Sequence, residues 1–133
     1  MADRTLEIQK AVVAALLADN GVSALVGPRV YDRPPANVVL PYIRLESVVR
    51  APFDAQDLRG SDLVLRINTY SRAIGRVECR RILAAMNDAL HFSNLSLDAG
   101  QSVYARVSGS RDFEDADGVT TVGVIDLSVI TDG

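Results

Sequence analysis

Asp115 and Asp117 precede Gly118 at the spacing of an EF-hand calcium loop, the nearest this chain comes to a ligand motif. Counted from that glycine, loop position 1 falls on Phe113 and position 12 on Val124, so both obligatory carboxylates are missing. The flanks alternate like strands where an EF-hand needs helices. Glu114 to Gly118 therefore reads as an acidic hairpin tip, kept soluble by its charge. His91 is the only histidine and Cys79 the only cysteine, so triads, dyads and zinc sites lack their parts. A single cysteine also excludes an intramolecular disulfide. His91 falls just past a helix end, where a cation would meet the C-terminal dipole. Cys79 lies on an apolar stripe and reads as a small core residue. The acidic residues cluster in loops and turns, where solvated carboxylates belong, and neither standard glycine-rich phosphate cradle is present. The expectation is a protein that is not an enzyme and takes no cofactor and no metal.

What remains is interaction chemistry. The loop from Arg50 to Gly60 joins two strands whose hairpin could close in about two to five residues, so about half a dozen are surplus. Among them are Phe53 and Leu58, apolar groups costly to leave in water, with Arg50, Asp54, Asp57 and Arg59 beside them. A large aromatic in a long polar loop either tucks onto its own sheet or docks on a neighbour. These six residues are the candidate contacts to another subunit or to a tube.

The chain has 133 residues, enough for one domain (1–133) with a real core. Apolar and charged fractions are ordinary for a globular protein. No apolar run is long enough to cross a bilayer, and the N-terminus lacks a signal-peptide layout, so the expectation is a product made in the cytoplasm. A net charge of −3 gives no overall electrostatic footprint for gripping nucleic acid. Lys10 is the only lysine against thirteen arginines. Arginine suits buried ion pairing at interfaces, and GC-rich coding gives the same bias.

Asp3 can cap a first helix carrying Leu6, Ile8, Val12, Val13, Leu16 and Leu17, a wide apolar face that Asn20-Gly21 would end. Val22 to Val26 could add a short turn, stopped by Gly27-Pro28. Val30-Tyr31-Asp32 reads as a brief strand, and Pro34-Pro35 stiffens the loop after it. Pro41 opens a strand, Tyr42 to Val49, with Ile43, Leu45, Ser47 and Val49 on one side. Leu63, Leu65 and Ile67 begin the next. In the second helix Cys79, Ile82, Leu83, Met86 and Leu90 form a stripe opposite Arg76, Arg80, Arg81 and Asp88. Phe92 to Gly100 reads as a loop. The expected fold is α+β: an antiparallel sheet with two main helices on one face and a C-terminal β-hairpin.

The hairpin fixes its own register. On Val119 to Ile130, Ile125, Leu127 and Val129 share a face; on Gln101 to Asp112, Val103, Ala105 and Val107 do. A two-residue Asp117-Gly118 loop would set Val107 against Ser128 and mismatch every pair. A three-residue loop, Ala116 to Gly118, with Gly118 at positive φ beside a bulge, sets Val107 against Leu127 and Ala105 against Val129. The odd loop is the expectation.

The run Leu6-Glu7-Ile8-Gln9-Lys10-Ala11-Val12-Val13-Ala14-Ala15-Leu16-Leu17-Ala18-Asp19 leads into Val22 to Asp32, the proline pair and Leu40-Pro41-Tyr42-Ile43. Later come Asn68-Thr69-Tyr70-Ser71, the helix from Gly75-Arg76-Val77-Glu78, Arg111-Asp112 and the Asp117-Gly118 turn. This succession resembles the tail terminator, or tail completion, family of long-tailed phages and phage-like gene transfer agents. The resemblance spans essentially the whole chain and rests on the order of several weak structural signals. It implies a homo-oligomer, typically a hexameric ring, located in the tail or neck of a particle. Such a ring would cap the tail tube protein, meet the head-side connector and let DNA pass through its lumen without specific binding. No membrane is implied, and no catalytic residues carry over. An acidic subunit suits such a channel, because attraction to phosphates would retard transit. The alternative class is a small cytosolic binding module or an enzyme with an unrecognised site. A ring would elute far above 14.3 kDa and the module would not.

Overall fold

The computed structural model describes residues 5–52, 60–91, 93–96 and 102–132. Its elements in chain order are α1 (Thr5–Ala18), α2 (Asn20–Val26), β1 (Val30–Tyr31), β2 (Tyr42–Pro52), β3 (Gly60–Ser71), α3 (Val77–Leu90), β4 (Ser93–Ser96), β5 (Ser102–Glu114) and β6 (Thr121–Asp132). The strands form one sheet in the order β1-β2-β3-β6-β5-β4. β1 runs parallel to β2, and all other pairs are antiparallel. The α+β expectation holds: the helices cover one face of a mostly antiparallel sheet.

The core forms between that face and the helices. Leu63, Leu65 and Ile67 of β3 and Ile125, Leu127 and Val129 of β6 alternate inward, as the two-residue strand period demands. Against them pack Ile8, Val12 and Leu16 of α1, spaced by one turn each, and Cys79, Ile82, Leu83, Met86 and Leu90 of α3. Gly123 of β6 lies directly beneath α3. A Cβ there would stand 2.8 Å from Cys79 Sγ and 2.9 Å from Leu83, so only glycine lets the helix sit this close.

Four sequence expectations need correction. Asn20-Gly21 does not end the first helix. Asp19 accepts the Val22 N–H on its carboxylate at 2.9 Å and starts α2, which leaves α1 at an 81° bend. The wide apolar face of α1 is only partly covered, with Leu6 and Leu17 exposed. Asp3, its expected cap, lies outside the described residues. On β2 the inward series does not run through Ser47 and Val49. A bulge between Leu45 and Ser47 turns Val48 toward the core and leaves Val49 outside. The Phe92 to Gly100 stretch is not all loop, since Ser93–Ser96 pairs with β5 and buries Leu95. Finally, β2 reaches Pro52 and β3 begins at Gly60, with Pro52 opposite Ser61, so the connection spans residues 53–59 and is shorter than expected.

The hairpin register is as expected, with Val107 opposite Leu127 and Ala105 opposite Val129, but its cause differs. The strands close at Glu114 opposite Thr121, the register of the rejected even loop. A bulge between Val107 and Gly109 then shifts the pairing by one residue and restores the match. Gly118 does sit at φ +75° in the turn, although the bulge lies well down the strand from it.

Candidate assembly surfaces

The groups that could have done chemistry are engaged in holding the fold. Asp117 Oδ1 accepts the backbone N–H groups of Val119 and Thr120, each at 2.9 Å, and Oδ2 accepts the Thr120 hydroxyl at 2.7 Å. These bonds favour the ionised form and draw the carboxyl down to about 2. The turn is thus an Asx-type closure of the hairpin. Among the described residues no three His, Cys, Asp or Glu side chains gather as a metal site would require.

Burial pushes the Cys79 thiol up to about 11, with the Asp112 carboxylate adding to the shift and Arg80 and Arg76 opposing it. At neutral pH it is a protonated core residue, as expected. His91 Nδ1 accepts the backbone N–H of Val107 at 3.0 Å, so the ring bridges the end of α3 to β5.

Asp112 lies on the helix side of β5, opposite Gly123. Arg80 reaches it through Nε at 3.0 Å, and Arg76 through Nη1 at 2.8 Å. Hydrogen bonds from Arg80 and then Arg76 hold its carboxyl below the usual carboxylate range. Arg76 and Arg80, which the sequence sets opposite the apolar stripe, thus clamp the helix to the hairpin.

The other face of the sheet has no helix on it among the described residues. Register places Tyr42, Tyr70, Val122 and Phe113 in a row across β2, β3, β6 and β5. The Tyr42 and Tyr70 rings stack at 4.9 Å, and Tyr31 meets Tyr42 at 6.1 Å. Burial raises both Tyr42 and Tyr70 above the ordinary phenol range. Tyr70 donates to Glu46 at 3.0 Å, and Arg66 forks onto Asp126 at 3.0 and 3.4 Å. On this face Glu46 and Asp126 are both engaged, by Tyr70 and Arg66.

Two surfaces are different. The outer face of α1 exposes Leu6 (61%) and Leu17 (42%) with Ala14 and Ala18. Between Lys10 and Arg29 the only charged side chain is Asp19, already used as a cap. At one end of the sheet, the β3–α3 connection and the hairpin tip enclose a groove of ≈ 370 Å³, lined in part by Arg72, Ile74, Arg76, Glu114 and Val119. Ile74 is fully exposed and Val119 is 62% exposed. Neither surface was singled out from sequence, though the all-round apolar character of α1 was a usable signal.

Of the six candidate contact residues, Phe53, Asp54, Asp57, Leu58 and Arg59 lie outside the described residues. Arg50 stands in β2 opposite Leu63.

The family described as Tail completion protein gp17 matches residues 10–132. The chain belongs to that family. It is therefore a structural tail protein, at home in the tail of a phage or phage-like particle. Among solved structures, this tail completion protein superposes on a chain of a gene transfer agent virion with a TM-score of 0.82 at 25% identity, covering 100% of both chains. It also superposes on the bacteriophage SPP1 gp17 protein, with a TM-score of 0.67 at 22% identity, over 95% of this chain and 89% of that one. The second likeness speaks to fold alone. No curated protein sequence matches.

Proposed function

We propose that the subunit closes into a ring, hexameric by the family resemblance, that ends the tail tube and joins the tail to the head-side connector. DNA passes through its lumen without specific binding, and the protein catalyses nothing. The observation that carries this reading is the family match across residues 10–132, together with a fold match over the whole chain to a component of a gene transfer agent virion. A heterologous ring needs two different surfaces on each subunit, and the α1 face and the groove are two such surfaces. The absence of catalysis is consistent with Asp117, Asp112, His91 and Cys79 each being engaged in turn, clamp, bridge or core. The whole chain acts as one domain in this reading.

The connection between β2 and β3, with Phe53 and Leu58, is the proposed contact to the tube or to a neighbour. The test is native mass spectrometry of the purified chain, alone and with its tube protein. A closed multiple of 14.3 kDa is expected. A protein that stays monomeric with and without tube protein would overturn the ring.

A further inference from the structure

We infer that, in the ring just proposed, the outer face of α1 seats in the β3–α3/hairpin groove of a second copy of this chain, head to tail. A helix apolar on all sides belongs in an interior, and half of α1 is already in one. Ile8, Val12 and Leu16 face the core, while Leu6, Lys10, Ala14, Leu17 and Ala18 are exposed, an apolar stripe with one ammonium in it. The contrast with α3 is direct, because the exposed side of α3 carries Arg76, Arg80 and Arg81.

The groove is the matching concavity on the same molecule. Its rim offers Ile74 and Val119, and two of its charges are already satisfied. Arg72 is bound to Thr120 at 3.1 Å with Asp117 at 3.9 Å, and Arg76 is bound to Asp112. Glu114 on the lining has no hydrogen bond or ion pair among the described residues, nor has Lys10, the only cation on the exposed side of α1. An apolar stripe with one free ammonium thus meets an apolar groove with one free carboxylate.

Two-fold packing of α1 on α1 would instead set like charges near each other. The two surfaces belong to different elements, so the contact is heterologous and propagates around a ring instead of stopping at a dimer.

The experiment uses the purified full chain and its Leu17→Glu, Lys10→Glu and Glu114→Lys variants, with the double exchange K10E/E114K. Native mass spectrometry and sedimentation read the assembly, and circular dichroism checks that each variant is folded. Leu17→Glu should leave folded monomer. Each single charge reversal should weaken assembly about tenfold or more, and the double exchange should restore it. Rings that persist in Leu17→Glu and both reversals would overturn this contact while leaving the ring itself standing. Variants that keep the ring but fail to join tube or head would assign the α1 face to another particle protein and equally overturn it. A wild-type chain that never assembles would sink both readings.

Discussion

His91 Nδ1 accepts the Val107 backbone N–H at 3.0 Å, and this single bond continues a ladder that β4 leaves unfinished. β4 pairs with β5 as far as Ser93 opposite Ala105. Val107 presents the next edge N–H, one residue before the bulge that sets the hairpin register. The imidazole, held at the end of α3 where the His91 backbone N–H donates to the Asn87 carbonyl, stands in for the missing strand residue. Replacing His91 with Phe keeps the shape and removes the acceptor. Stability should fall by about 1–3 kcal/mol, the cost of a part-buried donor left unmade, in urea unfolding. Assembly of folded protein should persist, because the bond serves the subunit. A variant as stable as wild type would show that water replaces the ring at no cost.

Gly123 gives a second test, of helix-to-sheet packing. Gly123→Ala should destabilise by about 1–3 kcal/mol, since the new methyl meets Cys79 Sγ at 2.8 Å and Leu83 at 2.9 Å. Cys79→Ala opens half of that space. The double variant should therefore be more stable than the sum of the two single changes. Strict additivity would mean that α3 simply shifts outward.

Much of this architecture was legible because alternation and helical spacing are direct consequences of two-layer packing. The α3 stripe and the inward series on β3 and β6 needed no more than that. The bulges were harder, because an extra residue leaves no periodic trace of its own. Gly109 inside an alternating strand was the available signal for one of them. The Ser47-Val48-Val49 run hid the other, since either valine could have faced inward. The α1–α2 break failed because Asn20-Gly21 suits a helix end as well as a helix start capped by Asp19. The assembly surfaces were invisible for a different reason. Exposure is a property of the folded subunit, and Leu6 and Leu17 look like core residues until the fold leaves them outside.

The hairpin turn should weaken in acid. Asp117 has a folded value of about 2 against an ordinary 3.8, so its contribution is fully present above about pH 4 and is lost as pH falls toward 2. Amide exchange at Val119 and Thr120 should speed up through that window. In Asp117→Ala the same amides should already exchange fast at neutral pH, with no further acid step from this group. An acid step of equal size in the variant would place its origin elsewhere, for instance in the Asp112 clamp.

The connection between β2 and β3 offers the most direct test of function. Pro52 stands opposite Ser61, so the strands are already in register where the connection leaves them. Deleting Asp54 to Leu58 keeps Phe53 and Arg59, and a hairpin can close with about two residues. The subunit should therefore fold with a thermal midpoint near that of wild type. If Phe53 and Leu58 dock outside the subunit, burial contributes roughly 1.5–3 kcal/mol for each side chain fully covered, repeated around a ring. A folded subunit that lacks Leu58, and whose Phe53 is confined to a two-residue turn with Arg59, should fail to cap tubes, giving overlong tails or tails without heads in electron micrographs. Tails of normal length joined to heads in the deletion strain would refute the assignment of this connection to tube or neighbour.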